Sequence, residues 1–147
     1  MKLFSMDSSP ETQPTTAGSK VRILVADDHV GVRKAVRNIL DLQPGFQVVG
    51  EALDGEEAVR QAKKLKPDVV VLNVQMPMMN GIEAGSVIKA DLPEVVIVVL
   101  SLNADQRLVE AARKIGARAY VAKTRAGDAL VKAIEAAIAG GDFVLVE

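Results

Sequence analysis

The sequence predicts an α/β fold, a parallel sheet with helices packed on both faces. Apolar runs at 21–26, 47–53, 68–72, 95–100 and 119–121 recur along the chain, and stretches of helical length and period separate them. That alternation is the mark of βαβ units. The central runs are near-continuous Val, Ile and Leu, so they need apolar cover on both sides. A chain of 147 residues is long enough for one such domain to bury a core without metal or disulfide support.

Residues 1–19, rich in Ser, Thr, Pro and Gly and without period, predict a flexible leader. Strand 21–26 ends at Asp27-Asp28. The helix predicted at 30–42 keeps Val32, Val36, Ile39 and Leu40 on one stripe and turns Arg33, Lys34 and Arg37 outward. A strand over 47–53 and a helix over 55–65 follow. The run Asp68 to Leu72 closes at Asn73, and Met76-Pro77 with Asn80-Gly81 makes the turn into a helix over 81–90. The run Val95 to Leu100 closes at Ser101, before a helix over 104–115 that buries Leu108, Ala111, Ala112 and Ile115. Lys123 follows Ala119-Tyr120-Val121-Ala122. The last helix, 126–139, uses Leu130, Ile134, Ala137 and Ile138 and stops at Gly140-Gly141. The folded domain is thus expected over 20–141, with 142–147 a tail and no output domain.

Composition excludes several functions. Zero cysteines rule out disulfides and thiol catalysis. With 18 basic and 19 acidic side chains the net charge is -1, which gives no bulk attraction to nucleic acid or a charged membrane, and DNA binding by this chain alone is not expected. No apolar stretch reaches the roughly 20 residues that cross a bilayer, and no secretory signal opens the chain. A cytoplasmic domain is expected. His29 is the single histidine, too little for zinc, and is expected at an edge near the acidic pair. Met76, Met78 and Met79 suit packing and contact better than soft-metal binding. Gly50, Gly55, Gly81 and Gly116 punctuate element ends.

In an open parallel sheet, ligands bind beyond the carboxyl ends of the strands. Asp27, Asp28, Asn73, Ser101 and Lys123 all follow predicted strands toward that edge. Each has an ordinary alternative: a helix start for the acidic pair, a turn for Ser101, a solvated ammonium for Lys123. Together they describe a site for an anion and a hard cation, since magnesium takes carboxylate oxygens and phosphate oxygens and an ammonium and a hydroxyl suit phosphoryl oxygens.

This constellation strongly resembles the receiver domain of bacterial two-component response regulators. The resemblance covers residues 21–139 and rests on Val25-Ala26-Asp27-Asp28-His29, on Leu72-Asn73-Val74-Gln75-Met76-Pro77 through Asn80-Gly81, on Ser101, and on Tyr120-Val121-Ala122-Lys123. It implies a flavodoxin-like (βα)5 three-layer sandwich whose five-stranded parallel sheet has the order 2-1-3-4-5. It implies further that Asp27 and Asp28 organise a Mg2+ site, that Gln75 lends its backbone carbonyl to the metal, and that position 73 takes phosphate from a histidine kinase or phosphotransfer protein. Ser101 then stands at the hydroxyl switch, Tyr120 at the aromatic switch and Lys123 at the invariant lysine. Phosphorylation would draw Ser101 and Lys123 inward and remodel the face of the fourth helix, fifth strand and fifth helix, where a partner or a second copy binds in a homodimer. His29, Gly31, Val32, Arg33 and the small residues near Gly116-Ala117 look most like the branch with helix-turn-helix output, a transcriptional role. Thr124 stands where many members have proline.

Asn73 is the serious departure. A carboxylate attacks a phosphoryl donor; a carboxamide is neutral and a poor nucleophile, so phosphoryl acceptance is expected to be blocked and Mg2+ weakened. The combination fits a chain deliberately blocked at its acceptor or a natural regulator that has ceased to use it, and the intact neighbours favour the block. The alternative is a phosphorylation-independent pseudo-receiver that works as an interaction module. A small flavin-binding protein is disfavoured, since the first loop lacks a Ser/Thr-rich phosphate cradle and aromatics are scarce. Either preferred reading is non-enzymatic.

Overall fold

A computed structural model describes residues 19–147; the leader expected over 1–19 lies, all but Ser19, outside the described residues. The elements run β1 (Val21–Ala26), α1 (Val30–Asp41), β2 (Phe46–Ala52), α2 (Gly55–Leu65), β3 (Val69–Asn73), α3 (Gly81–Asp91), β4 (Val96–Ser101), α4 (Gln106–Lys114), β5 (Ala119–Ala122), α5 (Ala126–Ile138) and β6 (Val144–Val146). Every pairing is parallel. The sheet order β2-β1-β3-β4-β5-β6 contains the expected 2-1-3-4-5.

Side chains alternate across a strand, and here both faces are core. Ile23 and Val25 pack with Val36 and Leu40 of α1 and Leu130 and Ile134 of α5. Leu24 and Ala26 pack on the other face with Ala58 and Ala62 of α2, Ala84 and Ile88 of α3 and Val109 of α4. That is why β1, β3 and β4 are apolar at nearly every position. Each large aliphatic side chain so buried stabilises the fold by roughly 1.5–3 kcal/mol relative to exposure. Helix starts are capped locally. His29 Nδ1 accepts from Val32 N, Asp54 accepts from Glu57 N, and Asn80 with Glu83 forms a reciprocal capping box.

Two expectations are corrected. The sheet has six strands, not five, because residues expected as a tail add a short strand beside β5. Gly140, at φ +82, reverses the chain after α5, and Val144 N donates to Arg118 O at 3.0 Å. Arg33, expected on the outward face of α1, is only 9% exposed. Its guanidinium finds acceptors just past β1, at the Asp27 carbonyl, and on β2, at Glu51, which satisfy its charge inside the fold.

Candidate functional site

The sheet's carboxyl edge gathers the expected residues. Asp27, Asp28, Asn73, Gln75, Ser101 and Lys123 all line one concavity of about 350 Å³. A larger groove, about 590 Å³, opens between Lys66–Asp68 and Asp91–Val96. It lies at the amino ends of the strands, away from the edge where such sheets bind ligands, so convergence of polar groups rather than volume selects the site.

Asp27 is the anchor. It sits one residue past β1, and its N–H continues the ladder to Ala52 O at 3.0 Å, which turns the side chain inward to 3% exposure. One carboxylate oxygen accepts from His29 N at 2.9 Å. The other pairs with Lys123 Nζ at 2.8 Å. Lys123 arrives there because it begins a single turn of 3-10 helix, Lys123–Arg125, directly after β5. Asp28 stays exposed and reaches across to Asn73.

Beneath Asp27 lies a layer that sequence reasoning missed. Arg33 Nη1 donates to the Asp27 carbonyl at 2.8 Å, and its Nε donates to Glu51 Oε1 at 3.0 Å. Arg37 Nη1 meets the other Glu51 oxygen at 2.6 Å. Hydrogen bonds from Arg37 and then Arg33 hold the Glu51 carboxyl below its usual range, outweighing the opposite push of burial. The same pairing with Glu51 raises Arg37. Glu51 thereby ties α1, and through it the Asp27 turn, to β2.

Asn73 ends β3 and is buried. Its Nδ2 donates to the Gln75 carbonyl at 2.8 Å and to Asp28 Oδ1 at 3.3 Å. A carbonyl can only accept, so the Gln75 bond fixes which way the carboxamide points. Gly81 is required just below. A Cβ there would stand 1.9 Å from the Asn73 carbonyl oxygen, and Gly81 N instead donates to Val74 O at 2.7 Å, seating α3 against the end of β3. Met76 and Met79 pack on the core while Met78 is exposed at φ 71.

On the other side, Ser101 Oγ donates to Asn103 O at 3.0 Å and accepts from Asn103 N at 3.1 Å. Tyr120 does not line the concavity. Its ring is fully buried on the face covered by α2, α3 and α4, and its hydroxyl donates to the same Asn103 carbonyl. Burial raises the phenol above its ordinary pKa. Asn103 thus joins Ser101 to Tyr120. It escaped the sequence because a backbone acceptor carries no residue signature.

Magnesium asks for oxygen ligands. The Asp28 carboxylate and the Gln75 carbonyl offer two, but Asn73 presents a donor to both, and both Asp27 oxygens are engaged. Among the described residues no group of three or more His, Cys, Asp or Glu is placed to hold a metal. The set fits a hard cation only after the Asn73 carboxamide turns over to present its oxygen.

Comparison with known proteins agrees with this fold. The family described as the response regulator receiver domain matches residues 23–135. The chain is 36% identical over 126 residues to the transcriptional regulatory protein DegU of Brevibacillus brevis, covering 86% of this chain and 53% of that protein. It is 42% identical over 130 residues to the transcriptional regulatory protein PdtaR of Mycobacterium tuberculosis (strain CDC 1551 / Oshkosh), covering 86% and 62%. The chain spans about half the length of the curated relatives it matches. A crystal structure of a LuxR-family two-component response regulator from Aurantimonas sp. SI85-9A1 superposes with a TM-score of 0.80 at 35% identity, over 84% of this chain and 89% of that one.

Proposed function

The chain belongs to the response regulator receiver family, and from that membership we propose that it is a receiver module closed to phosphoryl chemistry at Asn73. It is the receiver of a transcriptional two-component regulator, a non-enzymatic region. The observation that carries the closure is the Asn73 amide, which lies between the Asp28 carboxylate and the Gln75 carbonyl. A neutral amide neither attacks phosphorus nor adds charge to a cation site.

Asp28, the Gln75 carbonyl and a turned-over Asn73 would hold Mg2+, with Asp27 beside them. The ion, when bound, would neutralise phosphoryl charge. Lys123, now on Asp27, is the group that would swing to a phosphoryl oxygen. Ser101, by exchanging its Asn103 bonds, would carry the change to Tyr120 at their shared acceptor. A histidine kinase or phosphotransfer protein is the proposed partner of the parent activity. Helix-turn-helix output is proposed from the LuxR-family likeness, and a cytoplasmic location from the two-component role. Among the described residues no helix is long and apolar enough to cross a membrane.

A second reading, a phosphorylation-independent interaction module, is favoured by the same closed network, which needs no cation to satisfy Asp27. Intact-protein mass spectrometry after incubation with a small acyl-phosphate donor and magnesium should show no pocket adduct. A stoichiometric phosphate mapped to Asn73 or a neighbouring pocket residue would refute the closure.

A further inference from the structure

The amino edge of the sheet, opposite the phosphoacceptor site, brings together two cations held on backbone carbonyls. Lys89 stands in the last turn of α3, and its Nζ donates to Val95 O, just before β4, at 2.7 Å. Its stem runs beside Gly116, with Cε 3.4 Å from where a Cβ there would stand. Arg118 stands just before β5 and donates from Nη2 to Gly141 O at 2.9 Å. Among the described residues neither cation has a carboxylate within ion-pair distance, unlike Lys63 on Asp91 and Lys123 on Asp27. Burial first, and then the Arg118 charge, hold Lys89 below the ordinary lysine range, against an opposing pull from Glu94. A lysine amine desolvated beside another cation is an activated nucleophile.

We propose that Lys89 is acylated by small acyl phosphates, with Arg118 binding the phosphate group that leaves. An acyl phosphate suits the pair because its dianion is joined directly to the reacting carbonyl. With Nη2 on Gly141 O, the Arg118 Nε and Nη1 make no other hydrogen bond among the described residues, and such a fork holds two phosphate oxygens. Arg118 lies close enough to Lys89 for their charges to interact, so a phosphate held there brings its acyl carbon to the amine. The neutral amine keeps one N–H on Val95 O and attacks with its lone pair. An amide C–N bond forms, the C–O bond to the phosphate breaks, and the proton released from Nζ departs with it as hydrogen phosphate. The step needs no further reactant. A coenzyme A thioester gives Arg118 no such hold, since its phosphates lie far from the acyl carbon. The reaction does not involve Asn73, so it stands whether or not position 73 accepts phosphate.

The test incubates the full chain with acetyl phosphate, and peptide mapping by mass spectrometry follows acetyl gain at each lysine with time. Acetylation at Lys89 should run at least about threefold faster than at Lys63, although Lys63 is the more exposed. The Lys89 rate should level off below the ordinary lysine range near about 10.4 as pH rises. Inorganic phosphate at constant ionic strength should slow Lys89 and leave Lys63 unchanged. Arg118→Gln, and Arg118→Lys as a variant that keeps the charge but loses the fork, should each slow Lys89 at least about threefold. Acetyl-coenzyme A at the same concentration should label Lys89 no faster than Lys63. Equal rates at Lys89 and Lys63 with acetyl phosphate overturn the site. A Lys89 rate indifferent to inorganic phosphate, or unchanged in both folded Arg118 variants, overturns Arg118 as the phosphate anchor. Faster labelling of Lys89 by acetyl-coenzyme A than by acetyl phosphate overturns the acyl phosphate as its donor.

Discussion

The two halves of the carboxyl edge are held by different forces. Around Asp27 the bonds carry charge: a nearly buried Lys123 ammonium on one oxygen, with Arg33 beneath the backbone carbonyl. Around Ser101 and Tyr120 the bonds are neutral and converge on the Asn103 carbonyl. A buried ion pair is costly to break from one side, because the remaining charge is stranded. A neutral hydrogen bond contributes roughly 1 kcal/mol and is readily exchanged for another. The acidic half is thus a fixed scaffold, and the Ser101 half is the part of the edge able to change its partners at low cost.

The contrast is most exposed at Lys123. Lys123→Met should lower stability by about 3–5 kcal/mol, since the buried Asp27 carboxylate loses its ion-pair partner and retains only the His29 N–H. Adding Asp27→Asn should recover much of that loss. Chemical denaturation of both proteins measures it, and a loss under about 1 kcal/mol would place the pair with ordinary surface ion pairs.

Tyr120→Phe tests the neutral half. Only one of two donors to Asn103 is lost, so the expected cost is about 1 kcal/mol. The phenol itself gives a pH signature. Its folded pKa is raised, by burial first, so this contribution to stability is intact below the ordinary phenol range near about 10 and is lost as pH climbs through the raised value. Ultraviolet titration of the only tyrosine should show ionisation beginning above that range. A normal phenol titration in the folded protein would mean that the ring is not held inside.

The smallest effect is expected at Glu51. Its folded pKa is lowered by Arg37 and Arg33, so its contribution is present above the usual carboxylate range near about 4.3 and is lost as pH falls toward the lowered value. Glu51→Gln should cost little at neutral pH, on the order of 1 kcal/mol or less, and should flatten the acid limb of the stability curve. An unaltered acid limb would remove Glu51 from the scaffold.

What was legible in the sequence follows from the range of the forces. β1, β3 and β4 announced themselves because burial on both faces leaves polar residues only near the strand ends, at Arg22, Asn73 and Ser101. The convergence of Asp27, Asp28, Asn73, Ser101 and Lys123 followed once the strands were known to be parallel. β6 was hidden because Val144–Val146 is too short to show a period and acquires its strand character only from the open edge of β5. Arg33 was misplaced because helical periodicity records which residues are charged, not whether a carbonyl and a carboxylate distant in sequence wait inside. The Asn73 amide bond to Gln75 depends on the direction of one carbonyl, which no residue identity encodes.

The central claim, that Asn73 alone separates this pocket from phosphoryl acceptance, is tested most directly by Asn73→Asp. Both proteins are incubated with a small acyl-phosphate donor and magnesium and weighed intact, while amide spectra follow Ser101, Tyr120 and Lys123. The aspartate form should gain one phosphate at position 73 and shift those three amides, because Asp27 and Asp28 line the same concavity to hold the cation and Ser101 and Lys123 line it within reach of the phosphoryl oxygens. An aspartate form that folds and binds magnesium but takes no phosphate would contradict the account.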